Sequence, residues 1–279
     1  MIRLYKTASF PVAEKDGQFY FLEGSQDWDA LINCDGLYAK VDGLLSGAEA
    51  SEGAEDAARS PQAPVGTQEV WAAGVTYFSS RLARMEESKD AGGGDFYSRV
   101  YEADRPELFY KSSFARVKGP GENVRIRKDS SWDVPEPEAT LFINSSGQVQ
   151  GFTIGNDMSS RSIEGENPLY LPQGKNYDGA AAIGPCLLLL PGPISKETGI
   201  QLEIIRDGAV VFSGDTKLSQ MKRTFEDLAG YLFRELSFPT GVFLMTGTGV
   251  VPGSDFTLQS GDEIRISIDG IGTLANRVG

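Results

Sequence analysis

The amino-acid sequence predicts a β-rich α+β protein with a small N-terminal α/β domain. Three observations predict it. Short apolar runs bounded by turn residues recur along the chain, helical periodicity is confined to a few stretches, and there is no regular βαβ alternation or internal repeat. The 279 residues suffice for one large domain with a smaller appendage. The stretch from Ser46 to Gly66, rich in Ala, Gly, Ser, Glu and Pro, reads as a linker or surface loop with a loose helix. It divides the chain into residues 1–65, a small N-terminal domain plus linker, and residues 66–279, the main domain.

From Ile2 to about Leu45, short apolar runs alternate with Asp-Gly pairs at Asp16-Gly17, Asp35-Gly36 and Asp42-Gly43. These predict a β-rich unit with turns at those pairs and one helix near Trp28 to Ile32. Glu69 to Gly74 reads as a buried strand and Thr76 to Glu87 as a helical segment. Lys89 to Asp95 carries successive glycines and predicts a flexible break. Strand-like runs follow at Leu108 to Tyr110, Val124 to Ile126, Ala139 to Ile143, Gln150 to Ile154 and Cys186 to Leu190. Three more lie at Leu202 to Arg206, Val242 to Thr246 and Glu263 to Ile268. Leu218, Met221, Phe225, Leu228, Ala229 and Leu232 keep the spacing of one buried face and predict a helix over Leu218 to Leu236.

Composition removes whole classes of function. The formal net charge is −13, which argues against nucleic acid or an anionic membrane as partner, since both need basic patches. The start, MIRLYKTASF, lacks the apolar run of a signal peptide, and Ile183 to Leu190 is far too short to span a bilayer. Two cysteines, Cys34 and Cys186, make no disulfide framework and fit buried thiols in a reducing cytoplasm. The histidine count is zero. That excludes Ser-His and Cys-His nucleophile pairs and histidine-ligated zinc, so acid-base chemistry falls to Glu, Asp, Lys, Tyr or a metal-held water.

Pro135-Glu136-Pro137-Glu138 is the sharpest local feature. Proline pushes the preceding Glu136 toward an extended conformation, and two residues apart on an extended chain both carboxylates face one side. Such like charges need a cation or protons to neutralise them, although a solvated strand edge also accommodates an acid-x-acid pair. Asp157 ends the next predicted strand, where a hairpin through Ser145-Ser146-Gly147 returns it to the same end of the sheet. Three hard oxygen ligands favour Mg²⁺, with Mn²⁺ or Ca²⁺ also suited.

From about Val70 to Val251 these residues resemble the fumarylacetoacetate hydrolase superfamily. Its Glu-x-Glu metal pair matches Glu136-Pro137-Glu138, and its Asn-Asp-hydrophobic-Ser-x-Arg stretch matches NDMSSR from 156 to 161. Its later lysine matches Lys175 in QGKNYDG, and its Thr-Gly-Thr turn matches Thr246-Gly247-Thr248. The resemblance implies a mixed β-sheet roll or barrel, at least a homodimer, and metal ligands Glu136, Glu138 and Asp157 in a catalytic domain over 66–279.

Three further stretches, RVYEADRPELFYK (99 to 111), WDVPEPE (132 to 138) and EGENPLYLPQGK (164 to 175), look like the family's 2-keto-3-deoxy-arabinonate dehydratase branch. That resemblance implies a Mg²⁺-dependent hydro-lyase of pentose catabolism that makes 2-oxoglutarate semialdehyde from a small 2-keto acid. Glu107 and Lys175 would be its acid-base pair, and Thr248 would hold the substrate carboxylate. Arg105 and Lys111 are further substrate-binding candidates, and Arg105 would serve equally as an ion-pair partner of Glu107. The hydrolases carry a water-activating histidine on a lid helix; here its nearest counterpart is Ser79 or Ser80. Competing readings are acylpyruvate C–C hydrolysis, oxaloacetate decarboxylation, keto-enol isomerisation and, last, a non-catalytic binding protein.

Overall fold

A computed structural model describes residues 1–79 and 99–279. The chain begins with β1 (Ile2–Tyr5), β2 (Val12–Lys15) and β3 (Gln18–Phe21). Asp16 and Gly17 join β2 to β3 at positive φ, 53° and 77°, the handedness that matches strand twist in a tight hairpin. Three helices follow: α1 (Trp28–Ile32), α2 (Leu37–Leu45) and α3 (Glu52–Ala58). The middle of the chain forms β4 (Glu69–Gly74), β5 (Glu107–Ser112), β6 (Val117–Lys118), β7 (Asn123–Val124) and β8 (Asp133–Val134). Then come β9 (Pro137–Ile143), β10 (Val149–Asp157), β11 (Ser159–Ser160), α4 (Arg161–Glu166) and α5 (Leu171–Lys175). The remainder holds β12 (Ala181–Leu189), β13 (Gly199–Arg206), β14 (Ala209–Lys217), α6 (Phe225–Leu232), β15 (Val242–Met245), β16 (Glu263–Ile268) and β17 (Gly272–Val278).

One sheet has ten strands, in the order β3-β2-β1-β12-β10-β9-β15-β4-β5, with β6 also pairing β12. Through β6 the chain leaving the far edge at β5 returns to β12, so the sheet curls into a roll. A second sheet runs β14-β13-β16-β17-β7, and β8 pairs with β11 alone. Alternation along β9 sorts the two cores. Leu141 and Ile143 face a cluster shared with strands β13 and β16, through Leu202, Ile264 and Ile266. Phe142 instead faces a cluster with Phe243, Met245 and the helical residues Leu31, Ile32 and Val41. Burying both faces of β9 explains why all seven of its residues are buried. The N-terminal strands extend the edge of the large sheet through β1 and β12. No helix among the described residues is long and apolar enough to cross a membrane.

Several elements differ from their sequence reading. Asp42-Gly43 forms no turn; it lies inside α2, because Leu37, Val41 and Leu45 bury one stripe at helical spacing. Gly36 stands at φ 66° as the residue that starts that helix. The helix predicted over Leu218 to Leu236 is broken. A 3₁₀ turn spans Leu218–Gln220, Met221 pairs with Tyr77 in an isolated bridge, and α6 starts only after Thr224. Thr224 is an extended N-cap whose side chain accepts from the Asp227 amide, so local capping overrides the apolar period. Strand β14 follows Asp207-Gly208 at φ 51° and 81°, a hairpin turn that the Asp-Gly pair announces. The glycine-rich break at 89–95, Ser80 and most of the helical segment predicted from Thr76 lie outside the described residues.

Candidate metal and acid-base site

Strands β9 and β10 pair antiparallel, with Glu138 opposite Gly155 and Pro137 opposite Asn156. The Asp157 amide donates to the Glu136 carbonyl at 3.0 Å, which places these two residues face to face beyond the ladder. Opposite residues share a face of the sheet, so Glu136, Glu138 and Asp157 all point into the roll. Their carboxylate oxygens lie within 4.8 Å of one another. All three residues are sealed from solvent, at 5%, 1% and 1% exposure. Burial, then the charges of Asp157 and Glu136, push the Glu138 carboxyl well above the usual carboxylate range. Such crowding of buried like charges calls for a cation.

Protein cations surround the triad. Lys175, the last residue of α5, is fully buried and donates from Nζ to Glu136 Oε2 at 2.7 Å, Asp157 Oδ2 at 3.0 Å and Ser159 Oγ at 2.5 Å. Arg161, which opens α4, donates from Nη2 to Glu136 Oε1 at 2.6 Å. Lys111 on β5 stands 2.5 Å from Asp157 Oδ1 and also donates to the carbonyls of Met158 and Lys175, at 2.9 and 2.5 Å. Strand β5 is four positions from β10 in the sheet order, so this contact crosses the interior of the roll.

The turn after β15 closes on the triad. Thr246 donates from Oγ1 to the Ala139 carbonyl at 2.8 Å, and Thr76 Oγ1 donates to the Thr246 carbonyl at 2.7 Å. Gly247 follows at φ 92°, where a β-carbon would overlap the Thr76 hydroxyl, so glycine alone fits. Its amide donates to Glu138 Oε2 at 2.5 Å. Thr248 is buried beside it, with its hydroxyl donating to the Val250 carbonyl at 3.0 Å. Ser79 donates from Oγ to the Gly249 carbonyl at 2.9 Å, which ties that predicted lid position to the same turn.

Glu107 opens β5 opposite Gly74, the last residue of β4. A β-carbon on Gly74 would overlap the Glu107 carboxylate, so that carboxylate lies directly on the bare glycine backbone. Because β4 runs parallel to β15, the Glu107 end of β5 and the Thr246–Thr248 turn share one end of the sheet. Phe109, two residues along β5, places its ring 5.8 Å from Lys175 Nζ. Val75 carries the chain out of β4 at φ 54°, a conformation that costs a β-branched residue about 1–3 kcal/mol and is held by the packing around it.

Of the residues singled out in the sequence, Glu136, Glu138, Asp157, Lys175 and Lys111 therefore form one buried cluster. Glu107 and Thr248 approach its end of the roll. Arg105 stands apart, with its guanidinium 5.6 Å from the Tyr231 ring. Arg161 entered the sequence reading only as part of a matched motif; its spacing four residues after Asp157 was the available signal.

The residues present fit a divalent metal: three buried carboxylates, no competing nitrogen or sulfur ligand in the described cluster, and hard oxygen donors suited to Mg²⁺. Comparison with known proteins agrees with that chemistry. The family model for the C-terminal region of fumarylacetoacetate hydrolase matches residues 75–279. The chain is 47% identical over 217 residues to a probable 2-keto-3-deoxyxylonate dehydratase of Haloferax volcanii, covering 77% of this chain and 73% of that one. It is 41% identical over 219 residues to a 2-dehydro-3-deoxy-D-arabinonate dehydratase of Saccharolobus solfataricus, with 77% and 73% covered. A solved structure of 2-keto-3-deoxy-D-arabinonate dehydratase complexed with magnesium and 2,5-dioxopentanoate aligns with a TM-score of 0.82 at 30% identity, covering 99% of this chain and 98% of that one.

Proposed function

This chain belongs to the fumarylacetoacetate hydrolase family, and from that membership we propose that it is a Mg²⁺-dependent dehydratase of 2-keto-3-deoxy sugar acids. It converts a substrate of the 2-keto-3-deoxy-arabinonate type to a 2,5-dioxo acid. The observation that carries this reading is the buried Glu136-Glu138-Asp157 triad with Lys175 at its edge, in a chain 47% and 41% identical to two proteins named as dehydratases. A chain with no histidine has no counterpart of the hydrolases' water-activating dyad, and this also favours a lyase.

Glu136, Glu138 and Asp157 would hold the ion, and Mn²⁺ or Ca²⁺ suits the same donors. When bound, the ion supplies positive charge that stabilises negative charge on the substrate's carboxylate and 2-keto oxygens. Thr248 orients the substrate carboxylate from the turn after β15. Lys175 takes a proton from C3, and Glu107 gives a proton to the departing C4 hydroxyl, which leaves as water. Moving one hydrogen from C5 to C3 and tautomerising the resulting enol completes the 2,5-dioxo acid. Arg161 and Lys111 hold Glu136 and Asp157 in place, and burial in the roll keeps bulk water from Lys175 and the triad.

Every residue given a role lies within 66–279, consistent with that part as the catalytic domain and 1–65 as an appendage. The free cysteines and the acidic composition support a cytoplasmic enzyme, and we place it there as a homodimer or higher homo-oligomer.

The test is mass spectrometry of 2-keto-3-deoxy-arabinonate incubated with the purified protein and Mg²⁺, with and without EDTA. A metal-dependent product lighter by one water is expected. Unchanged substrate, together with cleavage of an acylpyruvate or turnover of oxaloacetate, would replace the dehydratase reading by one of the other 2-keto acid reactions.

A further inference from the structure

The loop before α6 binds two segments that flank the acid-base site. The backbone amide of Lys222 donates to the Thr76 carbonyl at 2.9 Å, next to the bridge between Met221 and Tyr77. The Lys222 ammonium donates to the Tyr101 carbonyl and lies 3.2 Å from Glu102 Oε2. Arg223 does more. Its Nη1 donates to the Asp104 carbonyl at 2.6 Å and to Asp227 Oδ2 at 3.2 Å, and its Nη2 donates to the carbonyls of Ala103 and Val100 at 2.6 and 3.4 Å. Residues 99–102 are helical, so the Val100 and Ala103 carbonyls are ones that a helix end leaves without intrahelical partners, and Asp104 lies in the bend that follows. A planar guanidinium is suited to take several at once, and the Arg223 side chain is only 10% exposed while doing so.

Two residues, Arg105 and Pro106, separate Asp104 from Glu107. Pro106 has a fixed φ and also restricts Arg105, so the chain between the Asp104 carbonyl and Glu107 has few ways to bend. The Arg105 guanidinium rests on Tyr231, a residue of the helix that Arg223 precedes. Fixing the carbonyls at 100, 103 and 104 therefore fixes where β5 begins, and so where the Glu107 carboxylate meets the bare backbone of Gly74.

We propose that Arg223 is a positioning residue for Glu107: by capturing the carbonyls of Val100, Ala103 and Asp104, it sets the entry of β5 and delivers the Glu107 carboxylate to the reacting end of the roll. The inference rests on the reading of Glu107 as the proton donor. It assigns Arg223 no contact with substrate or metal.

The test is a double-mutant cycle of Arg223→Ala and Glu107→Gln, with kcat, KM and calorimetric Mg²⁺ affinity measured for each protein. A misplaced catalytic group costs up to about 100-fold in rate, so Arg223→Ala should lower kcat about 10- to 100-fold. KM should stay within about twofold and Mg²⁺ affinity should be unchanged, because the substrate carboxylate and the ion are held elsewhere. In the Glu107→Gln background the same substitution should cost little more, because residues acting through one another are not additive. Wild-type kcat in Arg223→Ala, or a double variant as impaired as the product of the two single effects, overturns the proposal. Wild-type kcat in Glu107→Gln instead overturns the reading of Glu107 itself. Should Arg223→Ala fail to fold, Arg223→Lys carries the same comparison. Its ammonium keeps the charge without the fork, so kcat should be intermediate, and wild-type kcat there also overturns the proposal.

Discussion

The Lys111 ammonium and the Asp157 carboxylate stand 2.5 Å apart with side chains 0% and 1% exposed. Burial alone would raise the Asp157 pKa, but Lys111 and Lys175 outweigh it and hold the carboxyl below its ordinary value. Burial pulls Lys111 down against the attraction of Asp157. With its other bonds going to the carbonyls of Met158 and Lys175, Lys111 works as a strut that joins β5, β10 and α5. Removing one partner of a buried ion pair costs about 3–5 kcal/mol, because the other charge is left uncompensated. Lys175 still reaches Asp157 Oδ2 at 3.0 Å, so Lys111→Met should lose part of that, about 1–3 kcal/mol in urea unfolding at neutral pH, and adding Asp157→Asn should restore some of it. A Lys111→Met variant as stable as the parent would rule out the strut.

Most of the candidate metal site was legible because it is local. Glu136 and Glu138 share a face by strand alternation, and one hairpin returns Asp157 to them. The contacts that complete the site depend on how the sheet curls, which no short-range pattern encodes. Lys111 reaches Asp157 from four strands away, and Arg161 reaches Glu136 from the start of a helix. The elements misread were those where two local signals compete. At Asp42-Gly43 a turn pair lost to a buried helical stripe, and at Thr224 a cap cut through an apolar period.

Gly74 separates stability from catalysis. A β-carbon there meets the end of the Glu107 side chain, which can swing away, so Gly74→Ala should fold with a stability change of no more than about 1 kcal/mol. The displaced carboxylate should lower kcat about 10- to 100-fold. Stopped-assay kinetics beside thermal melts would decide: a variant with the parent's kcat means that the position of the Glu107 carboxylate is immaterial.

Of the three candidate ligands, Glu138 is the one whose carboxyl burial and like charge push up. A ligand that binds only the folded state at about 100 times its Kd adds about 2.7 kcal/mol of stability. Saturating Mg²⁺ should therefore raise the melting temperature of the parent, and EDTA should reverse the gain. Glu138→Gln should lose both that shift and the calorimetric binding signal. An undiminished Mg²⁺ shift in Glu138→Gln would remove this residue from the ligand set.

Asp133 gives the fold a pH dependence of its own. It is 2% exposed, and its Oδ1 has no hydrogen-bond partner among the described residues. Burial lifts its pKa from an ordinary 3.8 to about 6, against the pull of Ser130 and Arg127. The folded chain thus holds this proton more tightly than the unfolded chain does. Between those two values the native state binds more protons, so this group's contribution to stability falls as pH rises, and it levels off above about 6. Discounted for partial solvation, the loss is about 1–2 kcal/mol. Asp133→Asn keeps the shape without the titration. It should gain on the parent by that amount as pH rises from about 4 to about 7, read as the difference in urea midpoints across the range. A difference that stays constant over the same range would mean that Asp133 ionises in the folded protein as it does in the unfolded chain.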